Sequence, residues 1–347
     1  MPIHNTKPSL YSIQMLRAIA ALLVLLHHAL PHYEVMGGSI NFIKQLSSWG
    51  FAGVDIFFII SGFIMAYTTL DKPRTMSSAK TFIKHRLFRI YLGYWPFFIG
   101  MLFILFMKDP QHLEKLDLLG SFALFQSNMF KLVLPVSWSL SYELYFYLLF
   151  AATFFLTRTQ LYGVIPTVTF VLLIGAIYVY KNAEISESFF YSSFLLEFFA
   201  GVLLFMFHQS LFKVPFLLIL IPLIFIAYTL GIENETKNGL MRIATFGTGA
   251  LGIVWSVLIL EKSLGFKPPK FLIAIGNASY TLYLFHLLFL EIFYYVGLRN
   301  VFTSEHSQLL PILGLSTIII LTTLLSLLYY KVIEKPLYQY AIKKNNP

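Results

Sequence analysis

Runs of about 20 apolar residues, the length that crosses a bilayer as a helix, recur near 11–30, 51–70, 89–107, 137–156, 162–180, 190–208, 215–231, 240–260, 271–296 and 309–332. A segment in lipid must satisfy its own backbone hydrogen bonds, so the pattern predicts an all-α fold, a polytopic transmembrane helix bundle of about ten spans. The longest connection, 108–136, carries Pro110 and Pro135 and is expected to hold a short interfacial helix. No polar linker, biased tract or repeat interrupts the series, so 1–347 reads as a single integral membrane domain. The first run is not a signal peptide: its charged entry and its His27-His28 pair mark a retained helix.

Composition narrows the class further. At 58% hydrophobic and 12% charged residues, with mean hydropathy +0.74, the chain departs from soluble domains and leaves no room for a sizeable one. Cysteine is absent, which excludes disulfides, thiolate metal sites and a cysteine nucleophile. With the N-terminus inside, 17 of the 25 Lys and Arg residues fall on the inner side. The positive-inside rule then places both termini of this multi-pass protein in the cytoplasm, with the cell inner (plasma) membrane as the expected location. The densest basic stretch, Asp71 to Arg89, is read as a cytoplasmic loop attracted to anionic membrane lipid.

Polar residues inside such spans are costly, so each needs a reason. Arg17 and His28 stand eleven residues apart, about three turns plus 20°, hence on one helix face. The functional reading makes them members of a polar cavity; the alternative makes Arg17 a topology anchor and His28 a headgroup-level residue. Arg86 and Arg89, three apart at the mouth of the third span, share a face and suit bidentate binding of a phosphate-bearing ligand. Asp55, Glu143, Glu197, His28 and His286, from five spans, are all placed in the outer half of the membrane, as a layer above those arginines. For Glu197 and His286, a bond to a neighbouring helix is an equal alternative.

Several segments together resemble the acyltransferase-3 family. They are Arg17-x10-His28, GVDIFFIISGF at 53–63, Arg86-x2-Arg89 running into RIYLGYW at 89–95, SWSLSYELYFYLLF at 137–150, IGNASYTLYLFH at 275–286 and IEKPL at 333–337. They occur in family order over almost the whole chain, and the chain is most similar to bacterial exopolysaccharide O-acetyltransferases. Family members often carry Pro where this chain has Leu92 or Gly93.

The resemblance implies a ten-span enzyme that takes an acyl group from cytoplasmic acyl-CoA, usually acetyl-CoA, and delivers it to a hydroxyl of a glycan or lipid-linked glycan at the outer face. It implies no metal and no nucleic-acid partner, and a working core of Arg17, His28, Asp55, Ser61, Arg86, Arg89 and Glu143. Chemistry supplies roles for most of these. His28 suits a general base for the hydroxyl, and Asp55 or Glu143 is expected to bond its other ring nitrogen. Arg86 and Arg89 would hold the CoA phosphates, and Arg17 those phosphates or the thioester carbonyl. Ser61 reads better as half of a Ser-Gly helix-packing pair. A covalent acyl-enzyme on His28, Tyr91 or Tyr280 stays open. The rival class is a proton-coupled transporter or flippase of an envelope glycan precursor, which would share the buried acids and histidines but calls for paired broken spans that the two halves lack. A non-catalytic scaffold of an export assembly would leave those residues without a purpose.

Overall fold

A computed structural model of the chain describes residues 10–182, 189, 192–234 and 239–343, and among these there is no strand. Lys7, Lys237 and Lys344 of the charge count lie outside the described residues. The main helices are α1 (Tyr11–Val35), α2 (Asn41–Ser48), α3 (Gly53–Thr69), α4 (Met76–Lys108), α5 (Trp138–Ala152) and α6 (Arg158–Lys181). They continue with α7 (Phe194–Met206), α8 (Leu217–Glu233), α9 (Thr248–Leu264), α10 (Lys270–Asn277), α11 (Ser279–Tyr295), α12 (Leu309–Tyr329) and α13 (Lys335–Lys343).

Among the described residues, seven helical stretches are long and apolar enough to cross a membrane, eight if the run broken at Ala278 into α10 and α11 counts as one. The shortfall from ten lies in two places. The expected spans at 137–156 and 190–208 are the helices α5 and α7, of 15 and 13 residues. At 1.5 Å per residue α7 reaches only about 20 Å against a hydrocarbon core of about 30 Å, whereas α5 is continued at both ends by the 3-10 turns Pro135–Ser137 and Thr153–Phe155. The α5 stretch falls short in apolarity instead, because Ser137, Ser139, Ser141 and Glu143 interrupt its first half. Conversely, most of the basic "loop" from Asp71 to Arg89 is helix: α4 begins at Met76, so Arg86 and Arg89 lie ten and thirteen residues inside it. Segment 108–136 holds two short helices, Pro110–Leu113 and Leu118–Ala123, capped by Asp109 and Asp117.

The described chain forms two units. One takes in the chain through Arg17, Asp55–Ser78 and Ala152–Gly276; the other takes Ala18–Val54, Ala79–Ala151 and the residues from Asn277 onward. In the first, α3 and α7 cross at Gly62 and Gly201, where a Cβ would run into the carbonyl oxygens of Phe198 and Ile59. The Ser61-Gly62 pair therefore serves close helix approach through its glycine. The first turn of α1 is capped from α9: the Glu261 carboxylate accepts Tyr11 N–H at 2.9 Å and also bonds Ser12. Helices α6 and α8 expose large apolar side chains, Phe170 at 61% and Leu218 at 80% among them, as lipid-facing helices do.

The second unit is built around α4. Gly93 lets the Tyr280 ring of α11 lie against the helix where a Cβ would meet it, and Tyr280 Oη donates to Ile90 O at 2.8 Å. On α4, Tyr91, Tyr94 and Trp95 donate to the carbonyls of Ala123, Ser121 and Phe122 at 2.8, 2.9 and 3.3 Å. These carbonyls belong to the end of the helix Leu118–Ala123, where the chain's own N–H groups run short: Ser121 O also takes the N–H of Leu124 at 3.2 Å. The aromatic spacing of RIYLGYW is thus a clamp for a helix C-terminus.

Candidate active site

Within the second unit, α11 carries a climbing series of polar residues. Tyr280 is at the level of Arg89, whose guanidinium lies 5.5 Å from the Tyr280 ring centroid. One turn on, the Tyr283 hydroxyl meets Val136 O at 2.9 Å and Ser139 Oγ at 2.8 Å. Another turn on is His286, fully buried, whose Nε2 lies 3.3 Å from His28 Nδ1. The six residues from Tyr280 to His286 correspond to a rise of about 9 Å, so a basic level and a histidine level are stacked along one helix.

At the histidine level, His28 Nδ1 also faces Val24 O at 2.9 Å, while His286 Nδ1 faces Leu282 O at 3.3 Å. The sequence-based expectation that Asp55 or Glu143 bonds His28 is therefore corrected: the partners of its Nδ1 are a backbone carbonyl and a second imidazole. His27, turned to the next face of α1, places Nδ1 3.0 Å from Ser47 O and so ties α2 to α1.

At the basic level the two arginines part company. Arg89, with Lys335, lines a pocket of about 240 Å³ between α4 and the α12–α13 region, together with Gly93, Tyr330, Glu334 and Tyr338. Arg86 is not among its lining residues; its guanidinium lies 5.5 Å from the ring centroids of both Phe82 and Tyr147. Glu143 accepts a hydrogen bond from Tyr147, one turn further along α5. It lies within electrostatic range of Tyr280 as well. Glu143 thus belongs to the level of the arginines, not to the outer layer with His28, because α5 runs from Trp138 alongside α4 and brings its first turns to Tyr280. Glu334, inside the π-helical turn Tyr330–Glu334 that joins α12 to α13, is buried and accepts from the Thr281 hydroxyl. Tyr91 and Tyr280 both spend their hydroxyl protons on backbone carbonyls.

The first unit holds a separate polar centre. Arg242 Nε and Nη2 bond Asp55 Oδ1 and Oδ2 at 3.0 and 2.7 Å, a bidentate pair with both residues buried. Glu197 lies beside the same pair, and the Phe194 ring packs under the guanidinium at 5.0 Å. Arg242 precedes a π-helical turn, Ile243–Gly247, as Glu334 ends one. The charge count had placed Arg242 in an outer loop; its burial at 5% removes it from topology signalling. Asp55 and Glu197 share this centre, while Glu143 and the histidines belong to the second unit. Arg17, in the first unit, is half-buried and donates to Gln14 Oε1 at 3.5 Å.

Sequence reasoning overlooked Arg242 and Lys335. Nothing in the hydropathy pattern sets Arg242 apart from a loop cation, whereas the IEKPL segment already contained Lys335 and Glu334.

Comparison with known proteins adds two findings. The acyltransferase-3 family model, described as an acyltransferase domain, matches residues 10–331. The exopolysaccharide production protein ExoZ of Rhizobium meliloti (strain 1021) is 28% identical over 300 residues, covering 83% of this chain and 89% of that protein. No solved structure matches the chain.

Proposed function

The chain belongs to the acyltransferase-3 family, and on that premise we propose that it moves an acetyl group from cytoplasmic acetyl-CoA to a hydroxyl of an exported or cell-surface polysaccharide. The likeness to an exopolysaccharide production protein supports the acceptor class. The observation that carries the reading is the stacking, on α11, of a cationic pocket below a histidine pair. Arg89 and Lys335 supply cationic donors for CoA phosphates, Arg89 with a planar fork and Lys335 as a point charge. His28 takes the proton of the acceptor hydroxyl as its oxygen attacks the thioester carbonyl. The C–S bond then breaks, and the CoA thiolate recovers that proton from the imidazolium. Arg17, about 16 Å down the same helix from His28 and turned back to Gln14, is too far from the His28 ring to meet the carbonyl oxygen under attack, so we assign it to the phosphates of the donor. Ten spans, cytoplasmic termini, a single working domain and the inner membrane complete the proposal.

Mass spectrometry of surface glycan from cells with and without the protein tests it. The expected result is the loss of one acetyl mass per modified sugar, with polymer yield unchanged. Loss of the polymer itself, with its intracellular acetylation normal, would overturn the enzyme reading in favour of a glycan transporter.

A further inference from the structure

The geometry points to His286 as a positioning residue that, with two backbone carbonyls, holds His28 in one tautomer with Nε2 as the base; this rests on the reading of His28 as the proton acceptor. A carbonyl oxygen only accepts, so whatever ring nitrogen faces it at hydrogen-bond distance carries the proton. Val24 O, 2.9 Å from His28 Nδ1, therefore puts the His28 proton on Nδ1. Leu282 O, 3.3 Å from His286 Nδ1, does the same for His286. The Nε2 of neutral His286 is then a bare acceptor, and it stands 3.3 Å from the one His28 nitrogen that has a proton to give. The two assignments agree with each other.

The reverse arrangement fails on both sides. A proton on His286 Nε2, donated to a bare His28 Nδ1, would leave two nitrogen lone pairs facing the carbonyls of Val24 and Leu282. The shared Nδ1–H of His28 is a three-centre bond, a common motif near helix backbones. Its consequence is that Nε2 of His28 has a lone pair and no proton, as a base for a hydroxyl requires. Both carbonyls belong to the helix that carries the histidine they orient, each four residues back, so the tautomers are set by α1 and α11 themselves. The imidazolium formed during the reaction keeps Val24 O and His286 Nε2 as acceptors, and the rings, 4.9 Å apart and tilted by 52°, hold that arrangement against rotation. An aspartate or glutamate usually fills this place in nucleophile–base systems. Here the role passes to an uncharged group, and that suits a position buried in an apolar helix pair.

The test compares His286→Leu, which removes the acceptor, with His286→Gln, whose amide oxygen can reach the place of Nε2. Acetyl content of surface glycan is read at matched membrane expression, and donor binding is read as the thermal shift that acetyl-CoA produces on the purified protein. His286→Leu should lose at least tenfold in acetylation with the acetyl-CoA shift intact, while His286→Gln keeps more than half of the activity. Equal loss in both variants would overturn the inference, since it would make His286 a packing residue. Full activity of His286→Leu beside an inactive His28→Ala would overturn it too, and would leave the base assignment standing. An active His28→Ala would instead overturn the reading on which the inference rests. Should neither His286 variant fold, nitrogen-15 spectra of histidine-labelled protein, with His28 assigned by its loss in His28→Gln, decide the matter: a proton on Nδ1 is expected, and a proton on Nε2 would overturn the inference.

Discussion

Side chains of one type turn out to do different work only a turn apart. His28 and His27 are neighbours in sequence, yet one meets a second imidazole and the other meets the Ser47 carbonyl that holds α2. His28→Ala should abolish acetylation, a loss of about 10²–10⁴-fold for a positioned base. His27→Ala should keep its activity and lose stability of about 1 kcal/mol, the worth of one hydrogen bond, seen as a lowered melting temperature. Arg86 and Arg89 divide in the same way. Arg89 faces the pocket, so Arg89→Ala should raise the KM for acetyl-CoA about tenfold or more, in keeping with a charge-assisted bond of about 1.5–3 kcal/mol. Arg86 is held between two aromatic rings, so Arg86→Ala should act first on folded yield, through lost packing and cation–π contact. Titration of acetyl-CoA against both variants checks the split; equal KM values would contradict it.

Elements in this protein are tied at points where their own backbone runs out of partners or changes pitch. The clamp of Tyr91, Tyr94 and Trp95 closes the end of one short helix, and Glu261 closes the start of α1. The tie between α3 and the π-helical turn after Arg242 is the costliest to break, because Asp55 and Arg242 are buried together. Removing one partner of such a pair leaves a bare charge and typically costs 3–5 kcal/mol, whereas removing both is far milder. Asp55→Ala should therefore fail to accumulate in the membrane, and Asp55→Leu combined with Arg242→Met should restore much of the folded protein. Immunoblots of membrane fractions and melting temperatures in detergent read this. If the double variant folds but stays inactive, Asp55 also acts in the chemistry; if Asp55→Ala folds at wild-type level, the ion pair is not structural.

For the molecule in its membrane, the decisive property is which end of α4 faces the cytoplasm. The absence of native cysteine makes single-cysteine labelling clean. Ser77 and Gln111 are exposed residues flanking or beginning opposite ends of the 33-residue α4. Ser77→Cys should react with an impermeant maleimide only after permeabilisation, and Gln111→Cys should react in intact cells. The opposite pattern would invert the topology and put the Arg89 pocket on the wrong side for a cytoplasmic donor.

The all-helical membrane class was legible in the sequence, because a bilayer leaves a polypeptide few solutions and apolar runs of spanning length report on one of them directly. So was the family, since Arg17-x10-His28, Arg86-x2-Arg89, SWSLSYELYFYLLF and IEKPL are segments recognisable by local spacing. What local spacing does not hold is the partner of each residue. Asp55 was expected to serve His28, and only the packing of distant segments shows it bound to Arg242, 187 residues away. His286 was equally open to a packing role until the register of α11 against α1 set its Nε2 beside His28. Helix length followed the same rule at α7: hydropathy sees an apolar run, but hydrogen bonding in three dimensions ends the regular helix at Met206 after 13 residues. Apolarity is a property of a residue's own chain segment and can be read along it, whereas pairing joins residues far apart in the chain and waits for the fold.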